Sequence, residues 1–282
     1  MLLWLLIPLV LFVIIMIAVV IIIAIYCYHR CSKEVPILMY HRVTDIPGDR
    51  LSIPPNLFAA QLEYLQKKGH HTITLAQLHQ YLTAGTTLPA KPVILTFDDA
   101  YDDNYTNALP LLQQYGMCGT VFAISQWVDA DNGWEDFPGK RKFHTMNWEH
   151  LREWHNAGME IGSHTRTHPL LTTLTDDEIL NELIASKSEL QERLGITVQF
   201  LAYPYGDCDA RVKKLTSQAG YLGAVAIYDN APLLRNDLYG LRRIMISSKN
   251  SLKDFAMKTS PWHILSIGLR QLERGIKRVL NG

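Results

Sequence analysis

The apolar run Val93–Phe97 stops abruptly at two adjacent carboxylates, Asp98 and Asp99. Its length and composition predict a buried strand. Neighbouring residues of a strand point to opposite faces, so both acids can reach one site only where the strand has ended and the chain turns. In α/β folds the carboxyl ends of parallel strands carry the chemistry. The competing interpretation is that the acids cap the following helix.

Strand-like runs alternate with segments of helical periodicity from Val35–Tyr40 to Leu241–Ser247. In one of these segments, Thr175-Asp-Asp-Glu178 is a capping box, which predicts a helix running to about Leu194. This alternation predicts an α/β fold with parallel strands, in the form of a distorted or incomplete (β/α) barrel.

Residues 1–28 contain no charged residue and are rich in Ile, Val and Leu. At ~1.5 Å per residue they can cross a hydrocarbon core of ~30 Å. A cleaved signal peptide would need a basic start, a shorter apolar core and a small-residue cleavage site, and none is evident. The sequence therefore predicts a transmembrane anchor at 1–28 and a juxtamembrane segment at 29–34.

The charges that flank this span bear on its orientation. Arg30 and Lys33 follow it and no Lys or Arg precedes it. The positive-inside rule then places the rest of the chain in the cytoplasm, on a small charge difference. The formal net charge of the 282 residues is zero, which gives no argument for a nucleic-acid partner.

Residues 260–282 are a second candidate for membrane contact. Their apolar positions are spaced alternately three and four apart: Trp262, Leu265, Leu269, Leu272, Ile276 and Val279. Their basic residues lie off that stripe: Arg270, Arg274, Lys277 and Arg278. The pattern predicts a basic amphipathic helix that either lies on an anionic membrane or docks on the domain with its basic face in solvent.

His164 and His168 follow the predicted strand Met159–Gly162, separated by three residues. Pro169 favours a loop over a helix here, and in a loop this spacing can also converge on one ion. Two imidazoles and one carboxylate leave coordination positions open, which is typical of a catalytic metal site. A bound ion of this kind acidifies water and polarises a carbonyl, and a second carboxylate can act as general base. These residue types indicate a hydrolase of amides or esters.

Three segments carry a resemblance to one family: Thr96–Asp99, Ser163–His168 and Tyr203–Gly206. They are similar to the motifs of the NodB-type polysaccharide deacetylases, carbohydrate esterase family 4. The resemblance covers about Val35 to Thr259, taken as the domain 35–259. It implies a distorted (β/α) barrel and metal-dependent removal of N-acetyl groups from amino sugars.

The resemblance also implies roles for individual residues. Asp98 would be the general base, and Asp99, His164 and His168 would bind zinc or a similar divalent ion. The backbone N–H of Tyr205 would donate to the oxyanion.

Two departures from the family pattern stand out. The third motif normally has an Arg two residues before Pro204, where this chain has Ala202. Arg166, Arg242 and Arg243 are the candidates to replace it.

The second departure concerns the general acid. The family usually supplies it from a Leu-x-Leu-His motif near the end of the domain, but here Leu38-Met-Tyr-His41 resembles that motif at its start. The same permutation is seen in deacetylases of exported poly-N-acetylglucosamine, so His41 is the expected general acid. The alternative is a strand-end histidine that hydrogen-bonds the backbone.

The long segment 125–145 contains Trp127, Trp134 and Phe137. Long loops in compact domains are often functional. These aromatic side chains are expected either to form a sugar-stacking wall or to pack the loop on itself.

The leading hypothesis is a membrane-anchored deacetylase of an N-acetylated glycan, single-pass in a bacterial inner membrane. An alternative keeps the chemistry but uses a lipid-linked amino sugar, as a deacetylase or deformylase at the membrane face. A third is a non-catalytic glycan-binding protein, which the missing motif Arg would favour.

Overall fold

The computed structural model describes residues 35–135, 141–227, 237–260 and 263, together with 11–12, 14–22 and 25. Residues 35–256 form one compact unit. Most of the predicted anchor 1–28, the segment 29–34 and most of the predicted tail helix 260–282 lie outside the described residues. Within the described part, no helix has the length and apolar character needed to cross a membrane.

The described residues contain eight parallel strands. They are β1 Ile37–Tyr40, β2 His71–Thr72, β3 Pro92–Phe97, β4 Thr120–Ala123, β5 Glu160–Ser163, β6 Phe200–Ala202, β7 Gly223–Ala226 and β8 Leu241–Met245. They run in the order β1-β8-β7-β6-β5-β4-β3-β2, and β1 also pairs with β3. Seven strands therefore close into a barrel, and β2 adds to β3 outside that ring. The predicted (β/α) barrel is confirmed.

The closure of the barrel through β1 determines what meets at its rim. Tyr40 pairs with Phe97 of β3, and Met39 pairs with Met245 of β8. The N–H of Asp98 donates to the carbonyl of Tyr40 over 3.0 Å. The residue after β1, His41, is thereby brought to the same edge as the end of β3.

Seven α-helices occur in the described residues from 35 onward. They are α1 Pro55–Lys67, α2 Leu75–Ala84, α3 Leu109–Gln114, α4 Trp148–Asn156, α5 Asp176–Leu194, α6 Ala210–Gln218 and α7 Leu252–Lys258. A π-helical turn, Asn104–Ala108, leads into α3. Pro110 lies in the first turn of α3, where its missing N–H costs no helical hydrogen bond. The predicted capping box starts α5 at Thr175, and Gly195 ends the helix with a φ of 70°.

Two apolar clusters follow from the alternation of side chains along the strands. Residues such as Ile37, Ile94 and Phe122 pack together on one face of the sheet. Leu38 and Leu95, one position along, face the larger cluster that includes apolar residues of the helices. The same alternation puts Asp98 on the face of Ile94 and Thr96, which places its carboxylate over the first cluster.

Candidate active site

Asp99, His164 and His168 come together at the carboxyl end of the barrel, although β3 and β5 carry them there separately. The Asp99 Oδ1 atom lies 3.6 Å from Nε2 of His164 and 3.6 Å from Nε2 of His168. All three residues are buried. One ligand atom from each lies within 4.8 Å of the others, so the group can hold one metal ion.

The contacts of His164 prepare it for metal binding. Its Nδ1 donates to the carbonyl of Ala202 over 2.7 Å, which leaves Nε2 directed at Asp99. Metal-binding histidines usually use their second nitrogen in this way. Nδ1 of His168 is buried, and no hydrogen-bond partner for it exists among the described residues.

The protonation state of the two histidines also suits a metal ion. Burial lowers the pKa of His164, and burial together with the neighbouring His164 lowers the pKa of His168. Both rings are therefore neutral near pH 7, which is the form that binds a metal.

The geometry fits a small divalent ion. Two ligand atoms that lie ~2.1 Å from a tetrahedral ion are separated by roughly 3.4 Å. The two distances of 3.6 Å from Asp99 to the histidines are close to this value. Three protein ligands would leave a fourth position of such an ion open to solvent or substrate, as in catalytic sites.

Asp98 has a different partner, Arg243 of β8. The guanidinium makes a two-pronged contact, with Nη1–Oδ1 at 2.5 Å and Nη2–Oδ2 at 2.8 Å. Both side chains are buried. Burial alone would raise the pKa of Asp98, but the positive charge of Arg243 outweighs it and holds the pKa well below its usual range. Asp98 is therefore an oriented, ionised carboxylate beside the candidate metal ligands.

Among the three arginines considered for the place of the motif Arg, Arg243 is the one that contacts Asp98. Ala202 stands at the motif position, and its carbonyl is used by His164. The side chain of Arg166 is exposed. Arg243 also lies 3.3 Å from the hydroxyl of Thr96, so β3 and β8 orient the carboxylate jointly.

His41 lies directly after β1 and is half-buried. Its Nδ1 has no hydrogen-bond partner in the part of the chain that is described, so the backbone-bonded alternative is not seen for that nitrogen. Burial lowers the pKa of His41 to about 4, against the opposing charge of Asp98. The imidazole is therefore neutral in the resting protein.

The segment that contains His41 is held by polar residues that the sequence analysis missed. Nδ2 of Asn104 donates to the carbonyl of His41 over 2.8 Å, and Oδ1 of Asp103 accepts from the N–H of Val43 over 2.7 Å. The available signal was the polar run that follows Asp99 at the entrance of a helix.

The turn Pro204–Gly206 carries Tyr205, whose φ is 58°. The N–H of Gly206 donates to the carbonyl of Tyr203 over 2.9 Å and closes the turn. A Cβ on Gly206 would come within 2.7 Å of Cβ of Ile227, so glycine is needed there. Tyr205 is 56% exposed, and its ring centroid lies 4.6 Å from that of His168.

Backbone strain concentrates at this end of the barrel. Five non-glycine residues here have φ between 51° and 70°: Asp99, Ala100, Thr165, His168 and Tyr205. Such conformations persist only where surrounding contacts enforce them, and they are frequent at functional sites. Three of the five are proposed metal ligands or the proposed oxyanion donor.

The aromatic residues of segment 125–145 fill both of the roles predicted for them. Trp134 lies 5.7 Å from the ring of His168 and 6.1 Å from that of Tyr101, so it borders the site. Trp127 packs within the loop, because a Cβ on Gly133 would come within 2.1 Å of its ring. Phe137 lies outside the described residues.

Comparison with known proteins places these residues in a family. Residues 85–224 match the family described as polysaccharide deacetylase. YxkH of Bacillus subtilis (strain 168), assigned by its name to the polysaccharide deacetylases, is 30% identical over 214 residues, covering 76% of this chain and 72% of that protein. The poly-beta-1,6-N-acetyl-D-glucosamine N-deacetylase of Escherichia coli (strain K12) is 24% identical and covers 85% of this chain. This chain spans only 42% of that longer relative.

A solved structure shares the fold. The Streptococcus pyogenes deacetylase PplD, in complex with acetate, aligns with a TM-score of 0.71 at 25% identity, covering 80% of this chain and 98% of that one. The motifs, the fold and the sequence identity all indicate the same family, and the chain belongs to the polysaccharide deacetylase family of enzymes.

Proposed function

We propose that this enzyme hydrolyses the N-acetyl group of N-acetylglucosamine residues in a glycan, releases acetate and depends on a metal ion. The observation that carries the proposal is the buried group Asp99, His164 and His168, beside an ionised Asp98 held by Arg243. The name of the E. coli relative supports a β-1,6-linked polymer as substrate. The acetate bound to PplD supports acetate as the leaving product.

The metal we propose is zinc or a similar divalent ion, bound by Asp99, His164 and His168. Neutral imidazole and carboxylate are ligands that zinc accepts with an open fourth position. When bound, such an ion would polarise the acetamide carbonyl and lower the pKa of a water molecule.

Asp98 is the proposed general base. Its carboxylate stays ionised because Arg243 stabilises the charge, and the two-pronged contact fixes the direction of its oxygen atoms. It accepts a proton from the attacking water as the carbonyl carbon becomes tetrahedral. The N–H of Tyr205 is the proposed donor to the developing oxyanion, in a turn held by the bond between Gly206 and Tyr203.

His41 is the proposed general acid for the leaving amine. Since burial keeps it neutral at rest, His41 must first take up a proton, and the proton that Asp98 removes from the attacking water supplies it. Negative charge developing beside His41 favours the imidazolium, which then delivers this proton to the amine. Asn104 holds the carbonyl of His41 in place, which restricts the segment that carries the ring.

Acetate release from synthetic glycans tests this proposal. The purified full chain, loaded with zinc or cobalt, is incubated with β-1,6-linked and β-1,4-linked N-acetylglucosamine oligomers, and acetate is quantified. We expect release that is faster on the β-1,6 series, and Asp98→Asn prepared in parallel controls for contaminating activity. Failure to release acetate from either series by metal-loaded protein would contradict the proposal.

We also propose that the uncharged segment 1–28 anchors the enzyme in a membrane. Its length, its lack of charge and the basic residues Arg30 and Lys33 that follow it support this. In cells that express the full chain, alkaline carbonate extraction of the membranes should leave the protein in the pellet. Complete release into the supernatant would contradict an anchor.

A further inference from the structure

We infer that Glu182 and Ser186 of α5 are positioning residues that fix the metal-ligand loop, defined as residues 163–168. The inference rests on the proposed function, because it concerns the geometry of a metal site. Both residues are buried, and they lie four positions apart on one face of the helix. Neither contacts the proposed reaction centre, so each would act only through the two histidines.

Both carboxylate oxygens of Glu182 accept hydrogen bonds from this loop. Oε2 accepts from the N–H of Arg166 over 2.9 Å and from the N–H of Thr167 over 2.8 Å. Oε1 accepts the Thr167 hydroxyl over 2.8 Å. Within the described residues no ion pair involves Glu182, so the loop supplies the hydrogen bonds that compensate its burial. The three donors belong to the residues that lie between His164 and His168.

Ser186 holds the start of the same loop. Its hydroxyl donates to the carbonyl of Thr165 over 3.0 Å and lies 2.8 Å from the hydroxyl of Ser163. The two partners are the residues immediately before and after His164. The direction of the imidazole is therefore restricted from both sides along the chain.

The loop needs such restraint because its backbone is strained. Thr165 has a φ of 66° and His168 has a φ of 67°, which are unfavourable for residues with a Cβ. The N–H of His168 donates to the hydroxyl of Thr165 over 3.0 Å, so the two strained residues are also coupled. Without the acceptors on α5 the loop can relax, and the two Nε2 atoms then lose their common distance from Asp99.

If Glu182 and Ser186 only stabilised the fold, their substitution would have a different effect from the one that a positioning role predicts. In that case a substitution would lower the melting temperature and leave the metal affinity of the folded protein unchanged. A positioning role predicts a weaker metal affinity in protein that is still folded. Partners of metal-binding residues typically change metal affinity by about 10- to 100-fold.

The test is a metal titration of the metal-free full chain and four variants, with no need for turnover. Glu182→Ala removes all three acceptor contacts, Glu182→Gln keeps one acceptor oxygen, and Ser186→Ala removes the second restraint. Glu192→Ala, on an exposed position of the same helix, is the matched control. Zinc dissociation constants are measured by competition with a chromophoric chelator, and cobalt-loaded samples report ligand geometry in their visible spectra.

We expect the zinc dissociation constant of Glu182→Ala to rise about 10- to 100-fold, with an altered cobalt spectrum. Glu182→Gln should recover part of this loss, and Glu192→Ala should match the wild type. If Glu182→Ala does not fold, Glu182→Gln and Ser186→Ala still measure the effect. Folded variants that bind zinc within twofold of the control would overturn the inference. Failure of the wild type to bind zinc would overturn the proposed function, and this inference with it.

Discussion

Each end of the barrel holds a carboxylate, but the partners differ: neutral donors at the amino end and a charged guanidinium at the carboxyl end. Glu160 begins β5 at the amino end, and its oxygens accept the N–H groups of Leu75 and Ala76 and the hydroxyl of Thr120. These donors are neutral, and burial raises the pKa of Glu160 despite them. Asp98 at the carboxyl end is paired with a guanidinium instead, and its pKa falls.

The different partners of Glu160 and Asp98 indicate that the amino end of the barrel serves stability and the carboxyl end serves the reaction. At the amino end, Glu160 satisfies backbone groups in the first turn of α2, and the residues involved have ordinary backbone conformations. At the carboxyl end, strained residues surround a charged carboxylate and buried histidine nitrogens that have no hydrogen-bond partner among the described residues. Barrel enzymes in general use these two ends in this way. Substitutions at the two ends should therefore give different kinds of defect.

The largest effect is expected from Asp98→Asn. Loss of a general base lowers turnover by up to about 10⁴-fold, which is roughly 5 kcal/mol of activation free energy. Metal content should be retained, because Asp98 is not among the proposed ligands. Acetate release and metal stoichiometry are measured on the same samples. A variant that keeps more than a tenth of the activity would remove Asp98 from the role of base.

Removal of the guanidinium in Arg243→Met should cost stability as well as activity. It leaves the carboxylate of Asp98 buried without a counter-charge, and breaking such a pair costs about 3–5 kcal/mol. Urea denaturation measures the free energy of unfolding. Arg242→Met, at the next position of the same strand, is the control and should cost much less. Equal losses in the two variants would contradict the special role of the pair.

Glu160→Ala at the amino end should affect stability alone. It leaves two backbone N–H groups and one hydroxyl without their acceptor, at a cost of about 1–3 kcal/mol. The kcat of the remaining folded enzyme should stay within twofold of the wild type. A large fall in kcat with unchanged unfolding energy would mean that the two ends are not separable.

The smallest effect expected is a pH dependence of unfolding in the metal-free protein. His41 has a pKa of about 4 when folded against 6.5 when unfolded, so the unfolded state binds more protons between these values. Stability therefore falls as the pH falls, by about 1 kcal/mol from pH 6.5 to 5.5 for this residue. The pKa of Glu160 is raised in the folded protein, so its effect on stability has the opposite dependence on pH. Its contribution to the free energy of unfolding is lost as the pH rises above 4.5.

Denaturation of His41→Gln beside the wild type isolates the histidine contribution. The unfolding free energy of the wild type minus that of His41→Gln should fall as the pH falls from 6.5 to 5.5. A difference that is constant over this range would show that His41 is not kept neutral by the fold.

Local patterns in the sequence were sufficient to predict the barrel and much of its site. Val93–Phe97 reads as a strand from composition alone, and the position of Asp99 at its end follows from chain direction. The capping box at Thr175 predicted the start of α5, because such a cap depends only on residues close in sequence. His164 and His168 lie four positions apart, so their convergence also needed only local information.

Contacts between distant strands and helices were not predictable in the same way. The pairing of Arg243 with Asp98 joins residues 145 positions apart. It depends on β8 closing against β1, which no local pattern encodes. Arg243 was one of three candidates in the sequence, and only the register of the closed barrel distinguishes it from Arg242. Glu182 and Glu160 likewise resemble ordinary surface acids until the fold supplies their partners.

A titration of metal-free protein with zinc tests the central claim most directly. Acetate release and bound zinc are followed together in the wild type and in Asp99→Ala and His164→Ala. The account predicts that activity rises in proportion to bound zinc up to one ion per chain, and that neither variant gains activity in the same range. Acetate release by metal-free protein, or full activity in either variant, would contradict it.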